Sequence, residues 1–163
     1  MRTILTTALL LALALPAAAL GDDPAPSPQQ TANQMCQAER TKLGADTFKL
    51  TYGTNANKSN AWGKCVSKNA VAAEHAADNA AKTCKAERDS KGADAFAAEY
   101  GTNPNGKNAF GKCVSQHARH ETEAETQETV SAARACKAEL TADHVAFKKK
   151  YKNFGACVSG KTK

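Results

Sequence analysis

Hydrophobic positions fall along this chain in two regimes. From Ile4 to Leu15 they form an almost unbroken run; beyond Gly21 they are sparse and spaced for helices. Phe48 and Tyr52, Phe96 and Tyr100, and Phe147 and Tyr151 each stand four apart, on one helical face. Ala70, Ala73, Ala77 and Ala80 lead at helical spacing to Cys84. Glycine punctuates the pattern: Gly44 and Gly92 end one helix each, and Gly53 and Gly101 end a short second one after the tyrosine. Asn60 and Asn108 are good N-caps, and no breaker cluster follows either until Gly92 and about Asp143. Each interval predicts a helix of about 30 residues, roughly 45 Å long.

The same letters recur. CQAERTKLGADTFKLTYGTNANKSNAWGKCVS aligns without a gap to CKAERDSKGADAFAAEYGTNPNGKNAFGKCVS, and CKAELTADHVAFKKKYKNFGACVS is a shortened third copy. All nine aromatics of the chain occupy equivalent places, Phe48, Tyr52 and Trp62, then Phe96, Tyr100 and Phe110, then Phe147, Tyr151 and Phe154. They predict one small core per copy, with the third aromatic closing it and the glycine after it permitting close approach. The six cysteines fall two to a copy. A continuous helix would hold Cys65 and Cys84 about 28 Å apart, far beyond the reach of a disulfide. That leaves Cys36–Cys65, Cys84–Cys113 and Cys136–Cys157.

The opening run, after MRT and before PAAALG, has the three regions of a signal peptide, with cleavage after Ala19 or Gly21. At about 12 residues it is short for a membrane anchor, and nothing later resembles a span. Export fits six cysteines with no CxxC spacing, which imply disulfides rather than metal or redox chemistry. The organisation expected is a signal peptide over 1–21, a proline-rich flexible leader over 22–33 and a first repeat over 34–70. A helical connector (71–81), a second repeat (82–118), an acidic connector (119–133) and a shortened third repeat with a basic C-terminus (134–163) follow. The fold class expected is all-α, three disulfide-stapled helical repeats joined by two long shared helices. Whether those helices stand as a rod or fold into a bundle is left open.

Composition sharpens the picture, because Leu, Ile, Val and Phe number only 14 after residue 21. So thin an apolar supply suggests that covalent bridges do work a core normally does. The net charge of +6 is uneven: residues 22–143 carry 15 Lys plus Arg against 16 Asp plus Glu, while the last 20 residues hold six lysines and no acid. Lys148, Lys149, Lys150 and Lys152, interleaved with Tyr151 and Phe154, are a candidate surface for an anionic cell-surface polymer, lipid headgroups or nucleic acid. The competing reading turns Phe147, Tyr151 and Phe154 inward and leaves the lysines solvated. Glu121, Glu123, Glu125 and Glu128 make the second long helix acidic, so self-association through opposite ends is conceivable.

Candidate chemistry is thin. The Asn-rich loops lack the carboxylates of a calcium site, and Ser67, Ser115 and Ser159 recur in triplicate, which suits packing better than catalysis. His117, His120 and Glu121 share a helical face at zinc-ligand spacing, yet in so polar a segment they read as solvent-exposed. Asn57-Lys58-Ser59 matches a glycosylation sequon. No catalytic residue, metal or cofactor is expected. The repeat carrying KAER, GADAFAAEYGTN and NAFGKCVS resembles one found in small exported bacterial proteins without a known activity. The resemblance implies no substrate or partner. The function expected is therefore a secreted, non-enzymatic structural or binding module.

Overall fold

The computed structural model describes residues 26–162. The expected signal peptide and its cleavage sites lie outside the described residues. Within them every element is helical: α1 (Pro28–Leu43), α2 (Ala45–Tyr52), α3 (Ala61–Lys91), α4 (Ala93–Tyr100), α5 (Ala109–Ala142), α6 (His144–Lys150) and α7 (Phe154–Lys161). The fold is all-α. The two long helices begin and end within a residue or two of where the breakers place them.

The leader expected over 22–33 ends earlier than its composition suggests. Pro28 takes the first turn of α1, where its missing N–H costs nothing, and Ser27 and Gln30 form a reciprocal capping box. Asn60 and Asn108 precede α3 and α5 as expected, but their side chains make no cap bond to the helix. Asn60 Oδ1 instead accepts from the backbone of Thr54 at 3.0 Å, and its amide donates to Thr54 Oγ1 at 2.7 Å. Asn108 does the same with Thr102. Each asparagine therefore ties down the preceding loop. A true side-chain cap appears at Asn153, which accepts from Ala156 N at 2.8 Å and starts α7.

The chain is bridged at Cys36–Cys65, Cys84–Cys113 and Cys136–Cys157, each with Cα atoms 6.0 Å apart. Every half-cystine has zero exposure. The long helices fold back on one another: α1, α3 and α5 pack pairwise as a three-helix bundle, and the short helices cover its ends. The first and third corners then lie together at one end and the second stands at the other.

The reason is legible in the sequence once the copies are aligned. Leu43 and Leu50 of the first copy pack against the third copy's cluster of Phe147, Phe154, Cys157 and Val158. Their counterparts in the second copy are Lys91 and Ala98, which offer no such apolar surface. Gly155 tightens this contact, since a Cβ there would meet Thr51 O at 2.9 Å.

Two expectations about the corners need correction. Trp62 and Phe110 do not close the small cores; they are 36% and 37% exposed, while Ala61 and Ala109 beside them are buried. The core-facing position of that first turn falls on the alanine, so the aromatic is turned outward. Trp62 reaches the rim of the Phe48 ring, 6.1 Å between centroids, and Phe110 lies beneath the Arg88 guanidinium at 5.5 Å. Only Phe154, in the third copy, is buried. Nor do Gly63 and Gly111 permit a close approach, because a Cβ on either would meet nothing within 4 Å.

Candidate functional site

Each corner carries a polar constellation built on its disulfide. Three residues after the opening cysteine stands a glutamate: Glu39, Glu87 or Glu139. Four residues after the closing cysteine stands a donor that differs in each copy: Asn69, His117 or Lys161. Helical spacing of three and four puts both beside the cystine, on facing helices. That residue stands against Oε1 of the glutamate in all three, Asn69 Nδ2 at 3.1 Å, His117 Nε2 at 3.0 Å and Lys161 Nζ at 2.7 Å.

The second oxygen takes a different partner by corner. Tyr52 donates its hydroxyl to Glu39 Oε2, and Tyr100 does so to Glu87 Oε2 at 2.8 Å. In the third corner Lys150 fills that place at 3.3 Å. There α6 is one residue shorter than α2 or α4 and ends before Tyr151.

Burial decides the electrostatics of each. Glu39 has zero exposure, and burial pushes its carboxyl above the ordinary carboxylate range, against the opposing pull of the bonds from Tyr52 and Asn69. Burial, followed by the adjacent carboxylate, pushes the Tyr52 hydroxyl up. Glu87 is held below the usual range by hydrogen bonds from Tyr100 and then Lys91. Glu139 is likewise lowered, chiefly by Lys161. The Asn69 amide also stands 3.5 Å from both Cys36 Sγ and Cys65 Sγ, so this position looks directly at the cystine. Chemically these groups are spoken for: each carboxylate has a polar partner at both oxygens.

The recurring glutamates were visible in CQAE, CKAE and CKAE, and the partners in CVSKN, CVSQH and CVSGK. Because the third member changes chemistry from copy to copy, repetition alone does not flag it.

Of the other candidates, His117, His120 and Glu121 do not converge. His117 turns to Glu87, Glu121 accepts from Asn79 at 3.0 Å, and His120 is exposed. Among the C-terminal lysines, Lys150 is engaged by Glu139 and lies 5.0 Å over the Tyr151 ring, while Lys148, Lys149 and Lys152 point to solvent. Phe147 and Phe154 are buried, the arrangement of the solvated-lysine reading.

A groove of about 920 Å³ lies between α1, α3 and α5. Its floor is Ala73 and Ala77 of α3, and Met35 and Ala38 form one wall against Ala118, Thr122 and Thr126 on the other. It runs along α1 from Pro28 to Lys42, and the 16 residues of that helix flank only part of the 31-residue α3. Lys42, Lys112, Arg119, Glu99 and Glu123 stand around it.

No protein-family model, curated protein or solved structure matches the chain.

Proposed function

We propose that this chain is an exported, non-enzymatic binding module, a disulfide-braced helical scaffold that offers the groove between α1, α3 and α5 to a small amphiphilic ligand. The observation that carries this reading is the groove itself, with its alanine floor, a methionine in one wall and a charged surround. Concave, mainly apolar sites with a few polar groups are the ordinary form of small-ligand sites. Against catalysis stands the engagement of Glu39, Glu87 and Glu139 by internal donors. Three bridges suit an oxidising compartment, and no described helix is long and apolar enough to cross a membrane.

The test is an Ala77→Trp substitution, which places an indole on the groove floor at a part-exposed position. Titration with 1-anilinonaphthalene-8-sulfonate should saturate at one site on the native chain and weaken at least tenfold in the variant, with the same helical circular dichroism. Equal binding by both proteins removes the groove from consideration.

The three free lysines favour a second reading, attachment to an anionic surface polymer through Lys148, Lys149 and Lys152. Retention on heparin that falls with salt, and disappears on replacing all three with glutamate, supports it. No retention at low salt ends it.

A further inference from the structure

We propose that the middle corner is a reduction-gated metal site, in which Cys84, Cys113 and His117 bind one zinc-like divalent ion when their disulfide opens. Among the described residues these three form the one group whose ligand atoms, two sulfurs and an imidazole nitrogen, all lie within 4.8 Å of one another. A tetrahedral zinc with thiolate and imidazole ligands needs sulfurs about 3.8 Å apart, from bond lengths of about 2.3 Å. Cα atoms 6.0 Å apart leave room for that separation through side-chain rotation alone. Glu87, 3.0 Å from His117 Nε2, is the kind of carboxylate that commonly orients a metal-binding imidazole. His117 is part-exposed, its side chain at 38%, so the fourth position faces solvent and is filled by water.

The other two corners serve as internal controls. Asn69 occupies the position of His117 and sits 3.5 Å from both sulfurs, which establishes that this position addresses the cystine. An amide is a poor zinc ligand, and the third corner's Lys161 is an ammonium that pairs with Glu139. The site thus requires the histidine that, of the three copies, only the second carries at this position.

The redox step balances with an external thiol reductant. The thiol pair gives two electrons and two protons to the Cys84–Cys113 bond and leaves as its own disulfide, and the corner gains two thiols. Metal binding then forms two metal–sulfur bonds and releases those two protons. Re-oxidation expels the ion. The metal takes over the cystine's role of clamping α5 to the end of α3, so the corner stays closed in both states.

The experiment uses the full chain under graded anaerobic reduction with a phosphine in the presence of cobalt(II), read by thiolate-to-cobalt charge-transfer absorption and native mass spectrometry. Alkylation mapping reports which bridge is open. One cobalt per chain is expected, appearing with the opening of Cys84–Cys113. His117→Asn, which installs the residue the first corner already uses, should weaken loading at least tenfold. Asn69→His should raise the count to two. Equal loading by His117→Asn, loading of three ions in the native chain, or none once Cys84–Cys113 is open would each overturn the assignment.

Discussion

Replacing Glu39 with glutamine should make the protein more stable at neutral pH, although Glu39 is among the most deeply buried side chains and hydrogen-bonded at both oxygens. A buried carboxylate is costly to ionise. Its folded pKa is raised, with burial the largest cause. A carboxyl whose pKa is higher folded than unfolded favours folding while protonated, and that benefit is lost as pH rises through the folded value. The window opens near the ordinary glutamate value of 4.5 and extends upward. Glutamine keeps the shape and needs no charge: its oxygen accepts from Asn69, and its amide donates to the Tyr52 oxygen, whose hydroxyl then rotates away.

Stability from urea titrations, taken at half-unit steps from pH 4 to 8, should show the variant gaining on the native protein by up to about 1.4 kcal/mol per pH unit inside that window, the limit for one proton. Glu87 and Glu139 act in the opposite sense. Their lowered values contribute stability that is lost as pH falls below about 4.5, and subtraction of the two curves removes them. Glu39→Ala is the contrast, leaving the Tyr52 hydroxyl and Asn69 amide without their acceptor and costing about 2–5 kcal/mol. A difference between native and glutamine proteins that is flat across pH 5 to 8, or that favours the native protein as pH rises, refutes the argument.

Other substitutions separate packing from exposure. Phe48→Ala should cost about 3–5 kcal/mol, since Phe48 is 3% exposed. Trp62→Ala, at 36% exposure, should cost about 1–2 kcal/mol, and equal losses in urea titrations would contradict the outward placement. Gly63→Ala should stabilise by up to about 1 kcal/mol through helix propensity, whereas Gly101→Ala drives a Cβ into the Ala97 carbonyl oxygen and should cost more than about 2 kcal/mol; similar melting points for the two would be incompatible with this geometry. Lys58 holds φ of 58° where the second copy has Gly106 at 64°, so Lys58→Gly should raise stability by about 0.5–1 kcal/mol, and a loss above about 1 kcal/mol would show that its bond to Gly53 O dominates.

Much of this architecture could be read from the residues because its determinants are local. Glycine at Gly44 and Gly92 marks helix ends, where φ reaches 76° and 85°, and unbroken helical spacing between Cys65 and Cys84 limits which cysteines can meet. What escaped was tertiary. The fold-back of the bundle depends on Leu43 and Leu50 in one copy facing Leu140 and the third copy's aromatics, a difference between repeats rather than a likeness. Trp62 and Phe110 were misplaced for a related reason: recurrence marks a position as constrained without saying which way its side chain turns, and buried Ala61 and Ala109 are too small to advertise the core face. The glutamate at each corner recurs in plain view, but its partner changes from amide to imidazole to ammonium, so only the fold unites them. The groove has no local signature at all, because its lining comes from three helices far apart in the sequence.

Three cystines reinforce a thin apolar core. Closing loops of 29, 29 and 21 residues contributes about 3.5 kcal/mol each by loop entropy, roughly 10 kcal/mol together, against a net stability of about 5–15 kcal/mol for ordinary domains. The direct measurement is far-UV circular dichroism through a urea titration at 25 °C, on the oxidised chain and on the fully reduced, metal-free chain. The reduced chain should lose most of its helical signal without denaturant. An unchanged midpoint and spectrum after complete reduction would contradict the account.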